Sequence, residues 1–200
     1  MSKLSEADIQ ALAEEGGIPT SALETARSEL AEKWGHGPAP GDVFWSAAIQ
    51  HKLWLAQTGA TWRTQAKVPL VMAKSMEMEG KGKKDLEQHL VNFHKASLKG
   101  WKSNGCERVV VGSLDGEGCC SDCDSMQGEI HEIKDEVRRK TLPRKECSVP
   151  MCRCVWDALP EDQSRIEAAD KFADRALSGV IWAFVGIMVL LVVVIVVVSG

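Results

Sequence analysis

The spacing of the cysteines constrains the fold of this chain more than any other feature of its sequence. Five cysteines lie between residues 120 and 154, as a C-x2-C pair and then, after 23 residues, a C-x4-C-x-C group. Thiols two residues apart can reach one metal ion across a tight turn, and Zn²⁺ prefers four tetrahedral nitrogen or sulfur ligands. The spacing therefore predicts structural zinc on Cys120, Cys123, Cys147 and Cys152, with Cys154 as the alternative fourth ligand.

A long uncharged run near the end of the chain predicts a membrane helix. Residues 180–198 carry no charge, and a helix of that length spans about 28 Å, close to the ~30 Å hydrocarbon core of a bilayer. Lys171 and Arg175 precede the run, and the positive-inside tendency then places the N-terminal bulk in the cytosol. The cytosol keeps thiols reduced, so the clustered cysteines are expected to bind a metal instead of forming disulfides.

The N-terminal part of the chain has helical patterns. Residues 1–35 predict a helical hairpin, in which Ser5 with Asp8 and Ser21 with Glu24 have capping-box spacing. Residues 34–42 have the composition of a linker. Apolar residues at steps of three and four then predict a helical bundle over residues 43–103, where Pro69 is expected to kink or restart a helix.

The cysteine-rich module is predicted over residues 106–156. It begins with a short β-branched run at residues 109–111, which predicts a strand. Residues 157–177 are expected to link this module to a transmembrane helix at residues 178–198. The predicted fold is mainly α, with a small α+β zinc-stabilised module and a C-terminal single-pass membrane anchor.

The charges of the chain give little support to nucleic-acid binding. The formal net charge is −4, and four thiolates on Zn²⁺ would add a local charge of about −2 that nearby cations stabilise. Acidic residues are interleaved with the basic ones of the module, which favours compensation of the thiolates over a nucleic-acid patch. The basic residues are Arg138, Arg139, Lys140, Arg144, Lys145 and Arg153, and the acidic ones are Glu129, Glu132, Asp135 and Glu136.

The stretch "CSDCDSMQGEIHEI … LPRKECSVPMCRC" resembles the C-terminal cysteine module of small bacterial and phage proteins with the pattern C-x2-C … LP-x-K-x-C … CRC. It is similar, more distantly, to the end of the phage Mu F-like minor head proteins, where HP-x-CRC follows the C-x2-C pair. The resemblance covers residues 106–156. It implies the same four ligands, with Cys154 completing the "CRC". The chain differs from the patterns at residues 126–128, which replace "LDG", and at Cys147, which replaces a histidine.

Three functions are compatible with these features. The first is a non-enzymatic protein that binds a cytosolic protein partner while residues 178–198 hold it in a lipid bilayer, because four protein thiolates leave no open position for water. The second, implied by the resemblance, is a phage or prophage head-associated protein. The third is a metal-dependent nuclease or hydrolase that uses His131 as a base, although a lone "HE" lacks the second histidine of H-E-x-x-H. Self-association of the chain is left open.

Overall fold

The computed structural model describes residues 4–114 and 120–166. The chain divides into two compact units, Met1–Ala158 and Leu159–Gly200. Of the second unit only residues 159–166 are described, and residues 160–166 are helical. Within the described ranges, no helix combines the length and the apolar character needed to cross a bilayer. The membrane helix predicted at residues 178–198 and most of the predicted linker lie outside the described residues.

The N-terminal hairpin forms as its capping signals predict, with one exception. Helix α1 covers Glu6–Gly16, and Ser5 and Asp8 make the reciprocal capping box at its start. Helix α2 covers Thr20–Trp34 and begins after Pro19, with no side-chain cap. The predicted box of Ser21 with Glu24 is therefore wrong. The φ of Pro19 is fixed near the value that a helix start requires, so the helix begins before Ser21.

Three longer helices follow the hairpin. They are α3 (Pro40–Thr58), α4 (Trp62–Met78) and α5 (Lys83–Ser103). The predicted linker at residues 34–42 is shorter in the structure, because Pro40 occupies the first turn of α3, where its missing N–H is not needed. Pro69 lies inside α4 without ending it.

Helix α4 contributes to two apolar cores. One core joins it to α1, α2 and α3, and includes Ile9, Leu23, Phe44 and Val71. The other faces α5 and includes Leu70, Leu86, Leu90 and Phe93, together with Met151 and Val155 from the cysteine-rich segment. The second core thus ties the stability of α5 to the folding of the residues around the cysteines.

The cysteine-rich segment contains a three-stranded antiparallel sheet with the strand order β2-β1-β3. Its elements are β1 (Arg108–Ser113), α6 (Ser121–Asp124), β2 (Ile130–Glu132), α7 (Ile133–Arg139) and β3 (Cys154–Asp157). Val109 pairs with His131 on one side, and Val111 pairs with Trp156 on the other. The indole N–H of Trp101, at the end of α5, donates to the Trp156 carbonyl at 2.7 Å. This buried bond fixes the sheet against the last turn of α5.

Candidate metal centre

The first two cysteines are held by a single helical turn. Cys120 is the N-cap of α6, and the fully buried Cys123 lies inside it. The backbone N–H of Asp124 donates to the Cys120 carbonyl at 2.9 Å, which closes the turn. The chain then reverses at Gly128, whose φ of 83° favours glycine and whose N–H donates to Val111 O at 2.9 Å. The C-x2-C pair is therefore anchored to the central strand.

The other three cysteines come from the segment between α7 and the start of β3. Cys147, Cys152 and Cys154 are all buried, at 4 %, 1 % and 1 % exposure. The ammonium group of Lys83, at the start of α5, donates to the carbonyls of Lys145 at 2.6 Å and Cys147 at 2.7 Å. These contacts fix the backbone of the second ligand segment to the helical bundle.

Arg144 joins the two halves of the centre. Its guanidinium donates to the Asp122 carbonyl, inside α6, at 2.5 Å. This bond links the segment that carries Cys147 to the turn that carries Cys120 and Cys123. Arg144 is one of the six basic residues that the sequence suggested as counter-charges for the thiolates, and it bridges the two ligand segments. Lys83 was not foreseen from the sequence, because it lies in another helix and no local pattern connects it to the cysteines.

The thiols gather in two overlapping groups. One contains Cys120, Cys123 and Cys147, and the other contains Cys123, Cys152 and Cys154; within each, the sulfur atoms all lie within 4.8 Å of one another. The Sγ–Sγ distance is 3.9 Å both for Cys120 to Cys147 and for Cys123 to Cys152. Tetrahedral ligands at a Zn–S distance of about 2.3 Å would lie about 3.8 Å apart. The spacing is therefore compatible with a structural metal.

All five thiols that the spacing singled out are brought together, and each of them is free of a disulfide. Cys123 is common to both groups, and Cys152 and Cys154 both lie near it. The choice between Cys152 and Cys154 as fourth ligand therefore stays open. Cys106 is buried outside both groups, and Cys119 lies outside the described residues.

Hydrogen-bond donors from the backbone and from Cys154 favour the thiolate form of two of the cysteines. Hydrogen bonds from the backbone of Ser148 and Cys123 lower the pKa of Cys120 to about 6. The side chain of Cys154, followed by backbone groups of Arg144 and Cys154, lowers the pKa of Cys152 to about 5. The pKa of Cys154 is raised, because its thiol donates to Cys152 and is desolvated. N–H groups directed at sulfur are the outer partners that thiolate ligands of a metal require.

His131, the candidate base of the alternative hydrolase function, lies in neither thiol group. Its Nδ1 is 3.0 Å from a carboxylate oxygen of Glu136, which is 1 % exposed, and its Nε2 is 3.3 Å from Glu129. The second oxygen of Glu136 accepts the N–H of Thr141 at 3.2 Å. The ring also packs edge-on against Trp156, with the centroids 5.2 Å apart. These contacts give His131 a role in holding β2, α7 and β3 together.

The resemblance to the bacterial and phage cysteine modules stays a prediction that rests on the motif in residues 106–156. The geometry of the thiols stands independently of it, since it follows from the positions of the five sulfur atoms. No protein-family model, curated protein or solved structure matches the chain.

Proposed function

We propose that this chain is a non-enzymatic protein-interaction protein that is stabilised by structural zinc and anchored in a membrane by residues 178–198. The observation that carries the zinc part is the pair of thiol groups that share Cys123. Thiolate sulfur is a soft ligand that selects zinc over magnesium or calcium, and tetrahedral sulfur sites are typical of zinc or iron–sulfur centres. Zinc is favoured because the two Sγ–Sγ distances of 3.9 Å match the separation of neighbouring ligands around a tetrahedral zinc ion.

A closed site favours a structural role over a catalytic one. Catalytic zinc keeps one position open for water, whereas a full set of protein thiolates leaves none. Of the five thiols, four are buried and Cys120 is partly buried, so the centre is largely shielded from a substrate. His131 belongs to neither thiol group, and its ring packs against Trp156. The hydrolase alternative therefore has less support than the structural role, and the head-associated alternative rests on the resemblance alone.

Metal content tests the zinc part of the proposal. We expect one zinc ion per chain in full-length protein purified under reducing conditions, measured by inductively coupled plasma mass spectrometry. Cys123→Ser should remove most of the metal, because Cys123 belongs to both thiol groups. Cys106→Ser is the matched control, since Cys106 is equally buried but outside both groups. A metal-free wild-type chain, or disulfides among these cysteines in protein taken from the cytosol, would contradict the proposal.

The anchor is supported by the uncharged run at residues 180–198. Full-length protein is expected to remain with the membrane pellet after alkaline carbonate extraction, and deletion of residues 178–200 to release it. Leu190→Arg should weaken insertion by about 2.5–3.5 kcal/mol, whereas Leu190→Phe should not. Recovery of the wild-type chain in the aqueous phase without detergent would show that residues 178–198 are not a membrane anchor.

Exposed apolar side chains on α3 support a protein partner. Ile49 is 49 % exposed, Leu53 59 % and Trp54 54 %, and exposed apolar clusters mark interaction sites in soluble domains. A photo-crosslinking residue placed at Leu53 is expected to yield one dominant cytosolic protein adduct in cells. The same residue placed at Lys33, an exposed position on α2, is the control. Equal adduct patterns at the two positions would exclude this surface.

A further inference from the structure

A cavity of about 310 Å³ lies between α5 and α7, apart from the cysteines. Its apolar wall is formed by Val91, Leu98, Val137, Leu142 and Trp156. The volume is at the lower end of the range for small-molecule sites, which are mostly apolar with a few polar groups that fix the ligand. We call this space the α5–α7 cavity.

His94 lines the cavity and has no hydrogen-bond partner in the described part of the chain. It is 2 % exposed, and neither ring nitrogen makes a hydrogen bond. Desolvation lowers the pKa of His94 to about 3, so the ring is neutral at pH 7 and has one N–H donor and one acceptor to offer. Buried polar groups are normally hydrogen-bonded, and leaving one unpaired has a cost in stability. A bound molecule would relieve this cost.

Four lysines lie around the cavity and carry positive charge. One face of α5 carries Lys95, Lys99 and Lys102, and the C-cap of α7 is Lys140. All four lysines are exposed, and none forms an ion pair within residues 4–114 and 120–166.

Among the residues that the structure describes, Glu136 is the one acidic residue that lines the cavity. Its two carboxylate oxygens already contact His131 Nδ1 at 3.0 Å and the Thr141 N–H at 3.2 Å. It forms no ion pair with the four lysines, and one carboxylate against four ammonium groups leaves a net positive charge that is available to an anion.

We propose that the α5–α7 cavity binds a small amphipathic anion, an aromatic or aliphatic body that carries one carboxylate. The body packs against Leu98, Leu142 and Trp156, and the carboxylate is paired with the lysines at the exposed side. The ring N–H of His94 donates to a polar atom of the buried body or, in an all-carbon aromatic body such as that of the probe used below, to the π face of the ring. None of the described cysteines lines the cavity, so the site is distinct from the proposed metal centre, although its α7 wall belongs to the segment that the metal stabilises.

Calorimetric titration of the full chain in lipid nanodiscs tests the site with 2-naphthoate as the probe. We expect saturable binding of one 2-naphthoate per chain. The alcohol 2-naphthalenemethanol, which has the same body without the charge, should bind roughly tenfold more weakly, because it cannot form an ion pair with the lysine ammonium groups. Empty nanodiscs measure partition of each probe into lipid, and acetate measures the charge without the body.

Two sets of variants assign the binding to this cavity. The double variant Lys99→Gln with Lys102→Gln should weaken 2-naphthoate binding by roughly tenfold, and Lys33→Gln on α2 should not. His94→Phe should also weaken it. As a readout that does not depend on the folding of a variant, the ¹³Cε1 resonance of His94 in the wild-type chain should shift on titration.

Three results would overturn the proposal. The first is the absence of saturable 2-naphthoate binding, which would mean that the cavity holds only water. The second is equal affinity for 2-naphthoate and the alcohol. The third is binding that the lysine double variant leaves unchanged while the His94 resonance stays fixed.

Discussion

Chelation of the metal from the full chain is expected to unfold the segment 106–156 and to remove on the order of 10 kcal/mol of stability from it. In that segment the ligands join α6, the loop after α7 and the start of β3, so their release leaves short elements that cannot hold themselves together. The loss should spread to α5, because Met151 and Val155 share a core with Leu86 and Leu90. Hydrogen exchange followed by mass spectrometry measures both effects.

The N-terminal helices provide an internal control for this experiment. The core of α1, α2 and α3 with one face of α4 contains no residue beyond Met72, so its amides should keep their protection after chelation. Zinc added back should restore protection in the segment 106–156, and Cys106→Ser should respond like the wild-type chain. Unchanged exchange in a chain shown to have lost its metal would refute a structural role for the ion.

Acidification from pH 6.5 to 5 is expected to lower the free energy of unfolding by about 1–2 kcal/mol through His94 alone. Burial lowers the pKa of His94 to about 3 from an ordinary value of 6.5. Between these two values the unfolded chain binds a proton that the folded chain does not, so stability falls as the pH falls. Burial also lowers the pKa of His51 and His89, which adds to the effect in the same direction.

Urea unfolding at the two pH values, in the wild-type chain and in His94→Leu, isolates this contribution. The variant should lose less stability on acidification than the wild-type chain, by the amount assigned to His94. Ser97→Ala is the matched control, because Ser97 is a buried polar residue of the same helix that carries no charge. The same pH dependence in His94→Leu and in the wild-type chain would show that His94 is not buried in its neutral form.

Local signals predict the helices well and their starts less well. The capping box of Ser5 and Asp8 and the apolar periodicity of residues 43–103 are short-range features, and helices are made of short-range contacts. Pro19 shows that such signals do not always locate a helix start, because α2 begins directly after it and before Ser21, the serine that resembles a cap. Competing start signals one or two residues apart are separated by small free energies.

The sheet was predicted only at its central strand. Residues 109–111 have β-branched side chains, whereas β2 has three residues and β3 four, which is too short for a period of two to be visible. Their pairing with β1 depends on residues far apart in the chain. The five thiols could be foreseen because ligand chemistry limits their spacing, but Lys83, which holds the Cys147 carbonyl from another helix, could not.

The strand order β2-β1-β3 also has a consequence for biosynthesis. The strand that is made first, β1, is the central one, and its second partner ends at Asp157. At about 5–20 residues per second, roughly 2–10 s pass between the synthesis of β1 and of β3. During this interval one edge of an apolar strand is open, and open edges pair with other chains. Because Cys152 and Cys154 emerge at the end of the same interval, the nascent chain closes its sheet and completes its thiol cluster together.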